Sequence, residues 1–252
     1  MIAGSRHFTA LAQRLRWDPD AFDFEADARA WPSLPPRRRG RLAMLVAGFV
    51  VAETSVATEL APFVPRAGDE ATRAAFAAQR VDEERHARVF ERIAMDVVGL
   101  RGPAAPHAIV PAALRELFEQ RLPATAAALA DGDASLDEGV GLYHMVIEGL
   151  VLTAGQHALL DDLADGALPG VRSAVELVER DERWHVGFGL RCLLDLRPVP
   201  DLVAELAGTG ERGLHAWGEA VPAEVRRRVE AQHRRRLAAV GLAGHATAGS
   251  LA

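Results

Sequence analysis

A chain of 252 residues, 49% apolar and 25% charged, is long enough to bury one large core, and its longest apolar run is only about half of the roughly 20 residues a membrane span requires. A formal net charge of −6 argues against a nucleic-acid partner, and Arg226–Arg228 and Arg234–Arg236 read as solvated helix faces. The single cysteine, Cys192, forms no internal disulfide, and Met1–His7 contains no apolar signal core, so the expected setting is soluble and cytoplasmic.

Helical periodicity runs through the chain, with almost no alternating strand pattern. Residues 1–36 form a lead-in with one short helix, closed by Pro35-Pro36. A long helix is expected over Arg38–Leu60, ended by Pro62, and a second over Asp69–Val98, ended by Gly99. A third covers Pro111–Leu129, with Pro123 kinking or splitting it. Ser135 is an N-cap for a fourth that reaches Leu163, and a fifth runs from Pro169 or Gly170 to Leu196. Two shorter helices follow, and residues 241–252 read as a loose tail. No linker divides the chain, so residues 1–252 are expected to form one all-α domain: a four-helix bundle core with flanking helices.

One short word occurs twice, as Asp82-Glu83-Glu84-Arg85-His86 and Asp181-Glu182-Arg183-Trp184-His185. Each contains Glu-x-x-His, and helix positions i and i+3 share a face, so each word aims a carboxylate and an imidazole at one point. Two more acids stand in apolar surroundings: Glu53 after Leu42–Ala52, and Glu148 within Met145–Leu152. A buried carboxylate is costly unless it is paired or binds metal. Glu53 and Glu83 are 30 residues apart and Glu148 and Glu182 are 34 apart, the length of a helix, a turn and a return to the same height.

Glu53, Glu83, His86, Glu148, Glu182 and His185 thus form the ligand set of a di-metal carboxylate centre. Oxygen and imidazole donors without thiolate suit iron and manganese, and four carboxylates neutralise two divalent ions. Glu83 and Glu182 are the bridging candidates; Glu53 and His86 complete one metal, Glu148 and His185 the other. Asp82 and Asp181 are placed to accept the second ring N–H of the histidine in the opposite word. Glu84 points about 100° away from Glu83. His144 and His157 have no matching partner and read as packed histidines.

These residues resemble the ribonucleotide reductase small-subunit superfamily, within the ferritin-like fold, over about Trp17–Leu196. The stretches Trp17-Asp18-Pro19, Ala52–Val56, Tyr143–Gly149 and Glu179–Gly189 are most similar to the ligand-binding oxidases of that superfamily. The resemblance implies a Mn/Fe or Fe/Fe centre using O2 as oxidant, a bound long-chain fatty acid or other small-molecule ligand in an apolar pocket, and a homodimer. It also implies an ether crosslink between a valine three residues after the first ligand and a tyrosine five before the third. Those positions are Val56 and Tyr143, the only tyrosine in the chain. Where reductase subunits carry a radical tyrosine this chain has Phe90, and its tail has no aromatic residue for radical relay. Thr54 stands where the oxidases commonly have a second acid.

An oxygen-activating oxidase is therefore the leading expectation. The alternatives are a radical-generating subunit with a large partner, a biosynthetic di-iron oxygenase and a metal store.

Overall fold

Proline and capping residues start the long helices where the sequence places them. The computed structural model describes residues 2–198 and 200–239, and among these every regular element is helical. The lead-in contains α1 (Ser5–Arg14), α2 (Glu25–Ala30) and a 3-10 turn at Trp31–Ser33. α3 (Pro36–Glu59) opens on proline, whose preset φ suits the first turn. After the single turn α4 (Phe63–Arg66), Asp69 caps α5 (Glu70–Arg92) by accepting the Ala71 and Thr72 backbone N–H groups. A π segment, Ile93–Val98, continues α5 to the predicted end, and α6 (Ala104–His107) is a short turn.

The third predicted helix is divided. α7 (Ala112–Glu116) passes into a π segment, Leu117–Arg121, and then into α8 (Leu122–Asp131). Pro123 supplies the reason: it has no N–H, and its ring crowds the carbonyl four residues back, which lies in the widened turn. The fourth helix starts at the predicted cap, with Ser135 and Glu138 forming a capping box ahead of α9 (Leu136–Val140). It is not uniform, however. Gly141–Leu152 is π-helical before α10 (Thr153–Asp162) resumes the α form. α11 (Pro169–Leu196) is the longest element; α12 (Pro200–His215) and α13 (Ala223–Ala239) close the described chain. The predicted loose tail lies outside the described residues.

α3, α5, the α9–π–α10 run and α11 pack together as the central bundle. α1 packs on α5 and α11, and α12 lies on the π segment of the fourth run. α3 is long and apolar enough to cross a membrane by length and composition alone. Here it is a central bundle helix that buries Leu45, Phe49, Glu53 and Val56.

Trp217, between α12 and α13, closes one side of the bundle. Its indole is fully buried, and its Nε1 donates to the Val151 carbonyl at 2.9 Å. The ring fits because two helices present glycine to it: a Cβ on Gly48 would lie 2.5 Å from the ring, and one on Gly155 would lie 2.7 Å from it. Trp217→Ala is expected to cost about 3–5 kcal/mol through the cavity it leaves. At this chain length that lowers Tm by about 10 °C, readable by calorimetry.

Candidate metal centre

Each of the four bundle runs contributes to one buried cluster. Glu53 comes from α3, Glu83 and His86 from α5, Glu148 from the π segment of the fourth run, and Glu182 and His185 from α11. All six are at most 2% exposed. Ligating atoms of Glu83, His86, Glu182 and His185 lie within 4.8 Å of one another.

The two histidines divide the cluster into halves. His86 Nδ1 faces Glu83 Oε2 at 3.2 Å, Glu182 Oε1 at 3.3 Å and Glu53 Oε2 at 3.9 Å. His185 Nδ1 faces Glu83 Oε1 at 3.2 Å, Glu182 Oε2 at 3.6 Å and Glu148 Oε1 at 3.6 Å. Glu83 and Glu182 thus turn one oxygen to each half, while Glu53 and Glu148 each serve one. Among the described residues, both oxygens of Glu53 and of Glu182, Glu83 Oε2, Glu148 Oε2 and both ring nitrogens of each histidine have no hydrogen-bond partner. Buried donor and acceptor atoms left unsatisfied in this number cost free energy, and two divalent cations, one in each half, would take up the carboxylate oxygens and Nδ1 of each ring. The oxygen and nitrogen donor set fits iron or manganese.

The protonation tendencies of these side chains follow from the same packing. Burial pushes the Glu53 and Glu148 carboxyls well above the usual range. Burial would also raise Glu83, but His185 and His86 overturn this and hold it well below. For the histidines burial favours the neutral ring, yet the surrounding carboxylates prevail and hold both well above the ordinary value.

Asp181 and Asp82 stand behind the histidines, each beside the histidine of the opposite word. Asp181 Oδ2 lies 3.5 Å from His86 Nε2, and Asp82 Oδ2 lies 3.7 Å from His185 Nε2. Each carboxylate is held in turn by an indole: Trp17 Nε1 donates to Asp181 at 2.6 Å, and Trp184 Nε1 donates to Asp82 at 3.2 Å. Arg85 lies between them, 2.5 Å from Asp82 and 3.8 Å from Asp181. Trp17 also stacks on His86, with ring centroids 6.2 Å apart.

Tyr143 is fully buried beside the cluster, and its single O–H is shared between two acceptors, Glu83 Oε1 at 3.2 Å and the Val56 carbonyl at 3.1 Å. Burial first, and Glu83 second, hold its pKa well above the ordinary phenol value. Glu84 is exposed and pairs with Arg80, and His157 is only partly buried. Phe90 is buried and stacks on Phe49 at 4.5 Å.

Sequence reasoning missed Gln79. Its Nε2 donates to Glu148 Oε1 at 2.7 Å and to Glu83 Oε1 at 3.1 Å, and its Oε1 pairs with His144 Nε2 at 2.9 Å. The available signal was its spacing, one helical turn before Glu83 on the same face.

A cavity of about 480 Å³ lies on the other side of α3 and shares no lining residue with the six clustered side chains. Val51, Met95 and Phe118 line it, with Glu59, Glu91 and Glu119 among its polar groups and no arginine.

The chain's relatives share this architecture. An R2-like ligand-binding oxidase, a valine-to-leucine variant with an anaerobically reconstituted Mn/Fe cofactor, superposes with a TM-score of 0.82 at 20% identity, covering 93% of this chain and 92% of that one. A glycine-to-leucine variant with a non-activated Mn/Mn cofactor gives a TM-score of 0.78 at 19% identity, covering 96% and 92%. The same kind of oxidase with an aerobically reconstituted metal cofactor after photoconversion gives 0.72 at 18% identity, covering 95% and 86%. At these identities the likeness shows the fold, an R2-like ferritin-like helical bundle. The family model "Ribonucleotide reductase, small chain" matches residues 5–206, most of the sequence, and the chain belongs to that family.

Proposed function

We propose that this single-domain protein is a di-metal carboxylate oxidase that activates O2 in the bundle core. The observation that carries this reading is the arrangement of buried donor atoms, most of them without a hydrogen-bond partner: Glu53, Glu83, His86 and Glu182 face one point, and Glu148, Glu83, His185 and Glu182 face another. Iron, or iron with manganese, would supply one-electron redox chemistry and a place for O2 to be reduced. The similar folds with Mn/Fe cofactors support that choice.

The chain's own groups exclude water and hold protons. Asp181 Oδ2 and Asp82 Oδ2 face Nε2 of His86 and His185 at 3.5 Å and 3.7 Å, placed to take up the second ring N–H once each ring turns Nδ1 to a metal ion. Glu83 Oε1 accepts the Tyr143 hydroxyl and is the base closest to that proton. The same hydroxyl rests against the Val56 backbone, so the two crosslink candidates are already neighbours. Forming the ether breaks a Val56 C–H and the Tyr143 O–H bond, makes one C–O bond, and sends two electrons and two protons to O2.

Peptide mass spectrometry tests this directly. After anaerobic loading with Fe(II) and Mn(II) and exposure to air, a linked peptide pair containing Val56 and Tyr143, lighter by two hydrogens, is expected. Full metal occupancy and O2 consumption without that link would move the reading to an oxygenase acting on an external substrate.

A radical-generating role with a larger partner is the second reading. It is favoured by the Trp17–Asp181–His86 contact, which joins the cluster to a half-buried, oxidisable indole. Co-purification of a large catalytic subunit would support it. For a small-molecule ligand, the cavity outside α3 has the volume and apolar lining, but its carboxylates favour a neutral or cationic molecule over a fatty acid. A homodimer and a cytoplasmic setting complete the proposal; the lone, buried Cys192 supports the latter.

A further inference from the structure

Gln79 touches only one half of the cluster. Its amide donates to Glu148 Oε1 and Glu83 Oε1, the same two oxygens that face His185 Nδ1. Among the described residues nothing equivalent acts on the other half, where both oxygens of Glu53 lack a partner. The amide is itself oriented. With its oxygen on His144 Nε2, its nitrogen points at Glu148 and Glu83, and the ionised carboxylates that metal ligation requires accept that N–H.

His144 is built into this position. It is fully buried, and burial drives its pKa down to about 3, so the ring is neutral and can donate Nε2–H to the Gln79 oxygen. Its place is reserved by Gly189 on α11, one turn beyond His185, where a Cβ would lie 2.2 Å from the His144 Cβ. His144 also sits four residues before Glu148 on the same π segment. The chain Gly189, His144, Gln79, Glu148 therefore joins three of the four bundle runs to a single carboxylate.

We propose that Gln79, braced by His144, is a positioning residue for the His185 half of the centre alone, and that it makes the two metal positions chemically unequal. It fixes Glu148 so that Oε2 is the free oxygen and holds the His185-facing oxygen of Glu83, whereas Glu53 keeps both oxygens available. The proposal rests on the di-metal reading above.

The test is an anaerobic Mn(II) titration of the full chain, followed by calorimetry and by the electron paramagnetic resonance of bound Mn(II). Wild-type protein is expected to bind ions in two resolved steps. Gln79→Met, which fills the volume without an amide, weakens one step by about tenfold, the scale for losing an outer hydrogen bond to a metal ligand. That step is the one His185→Ala abolishes, and the other step is unchanged. His144→Phe, which removes the brace, weakens the same step. Equal weakening of both steps, or of neither, by both the Gln79 and His144 variants overturns the assignment. A wild-type chain that binds no metal overturns the di-metal reading itself, a distinguishable failure.

Discussion

Glu83→Ala is expected to strip the protein of both metal ions, whereas Glu53→Ala retains about one ion per chain. The difference follows from which half each carboxylate faces. Glu83 places Oε2 3.2 Å from His86 Nδ1 and Oε1 3.2 Å from His185 Nδ1, so its loss removes a donor and part of the neutralising charge from both halves. Glu53 faces His86 alone, at 3.9 Å, and its loss leaves the Glu148–His185 half with its full set. The affinity lost at each position should exceed the about 10–100-fold that removing an outer hydrogen bond costs. Elemental analysis after Mn(II) and Fe(II) loading and gel filtration counts the ions, and circular dichroism checks that each variant is helical. Equal metal content in the two variants would refute the assignment of Glu83 as the shared ligand. O2 uptake is expected to fall to background in both, because each lacks a complete pair.

The ligand words were legible because their chemistry and their period agree. Glu-x-x-His is meaningful on a helix, and Glu53 and Glu148 stood out as acids in apolar runs, a placement that burial makes costly. Helix starts were legible where local rules act, at Asp69 and at Ser135 with Glu138. The π segments were not, since apolar residues cover every face of Gly141–Leu152 and such a run has no period from which to tell a widened turn from an α turn. Trp17 was recognisable as part of a resemblance, but not as a partner of Asp181, 164 residues away, because an indole donor finds its acceptor only through the fold. The lead-in thus supplies a wall of the site. Gln79 was hidden by its ordinariness: glutamine is a good helix former and needs no burial to explain it.

Metal-free protein is expected to lose stability as pH rises, and metal-loaded protein to gain on it. In the metal-free fold His86 and His185 are held well above their ordinary value by the surrounding carboxylates, although burial opposes this, and burial raises Glu53 and Glu148. A group whose folded pKa is raised contributes stability that is complete below its unfolded pKa and is lost as pH climbs through the folded one. The window therefore opens near pH 4.3 for the two carboxyls and near pH 6.5 for the histidines, and extends upward from there. Glu83 and Asp181, which are lowered, act in the opposite sense, but only as pH falls below about 4. Above the unfolded pKa of each raised group, each extra proton held by the folded cluster costs about 1.4 kcal/mol of stability per pH unit until it is released. Metal ions replace those protons, because ligation requires neutral imidazole and ionised carboxylate, so affinity strengthens over the same range. Each ion at about 100-fold excess over its Kd adds about 2.7 kcal/mol, and two add about 10 °C or more to Tm at this chain length. Thermal unfolding of chelated and Mn(II)-loaded protein at matched ionic strength should show Tm values that nearly coincide at the acidic end and separate steadily toward the alkaline end. Parallel curves across the range would mean that the protons and the metal ions do not compete for the same six side chains.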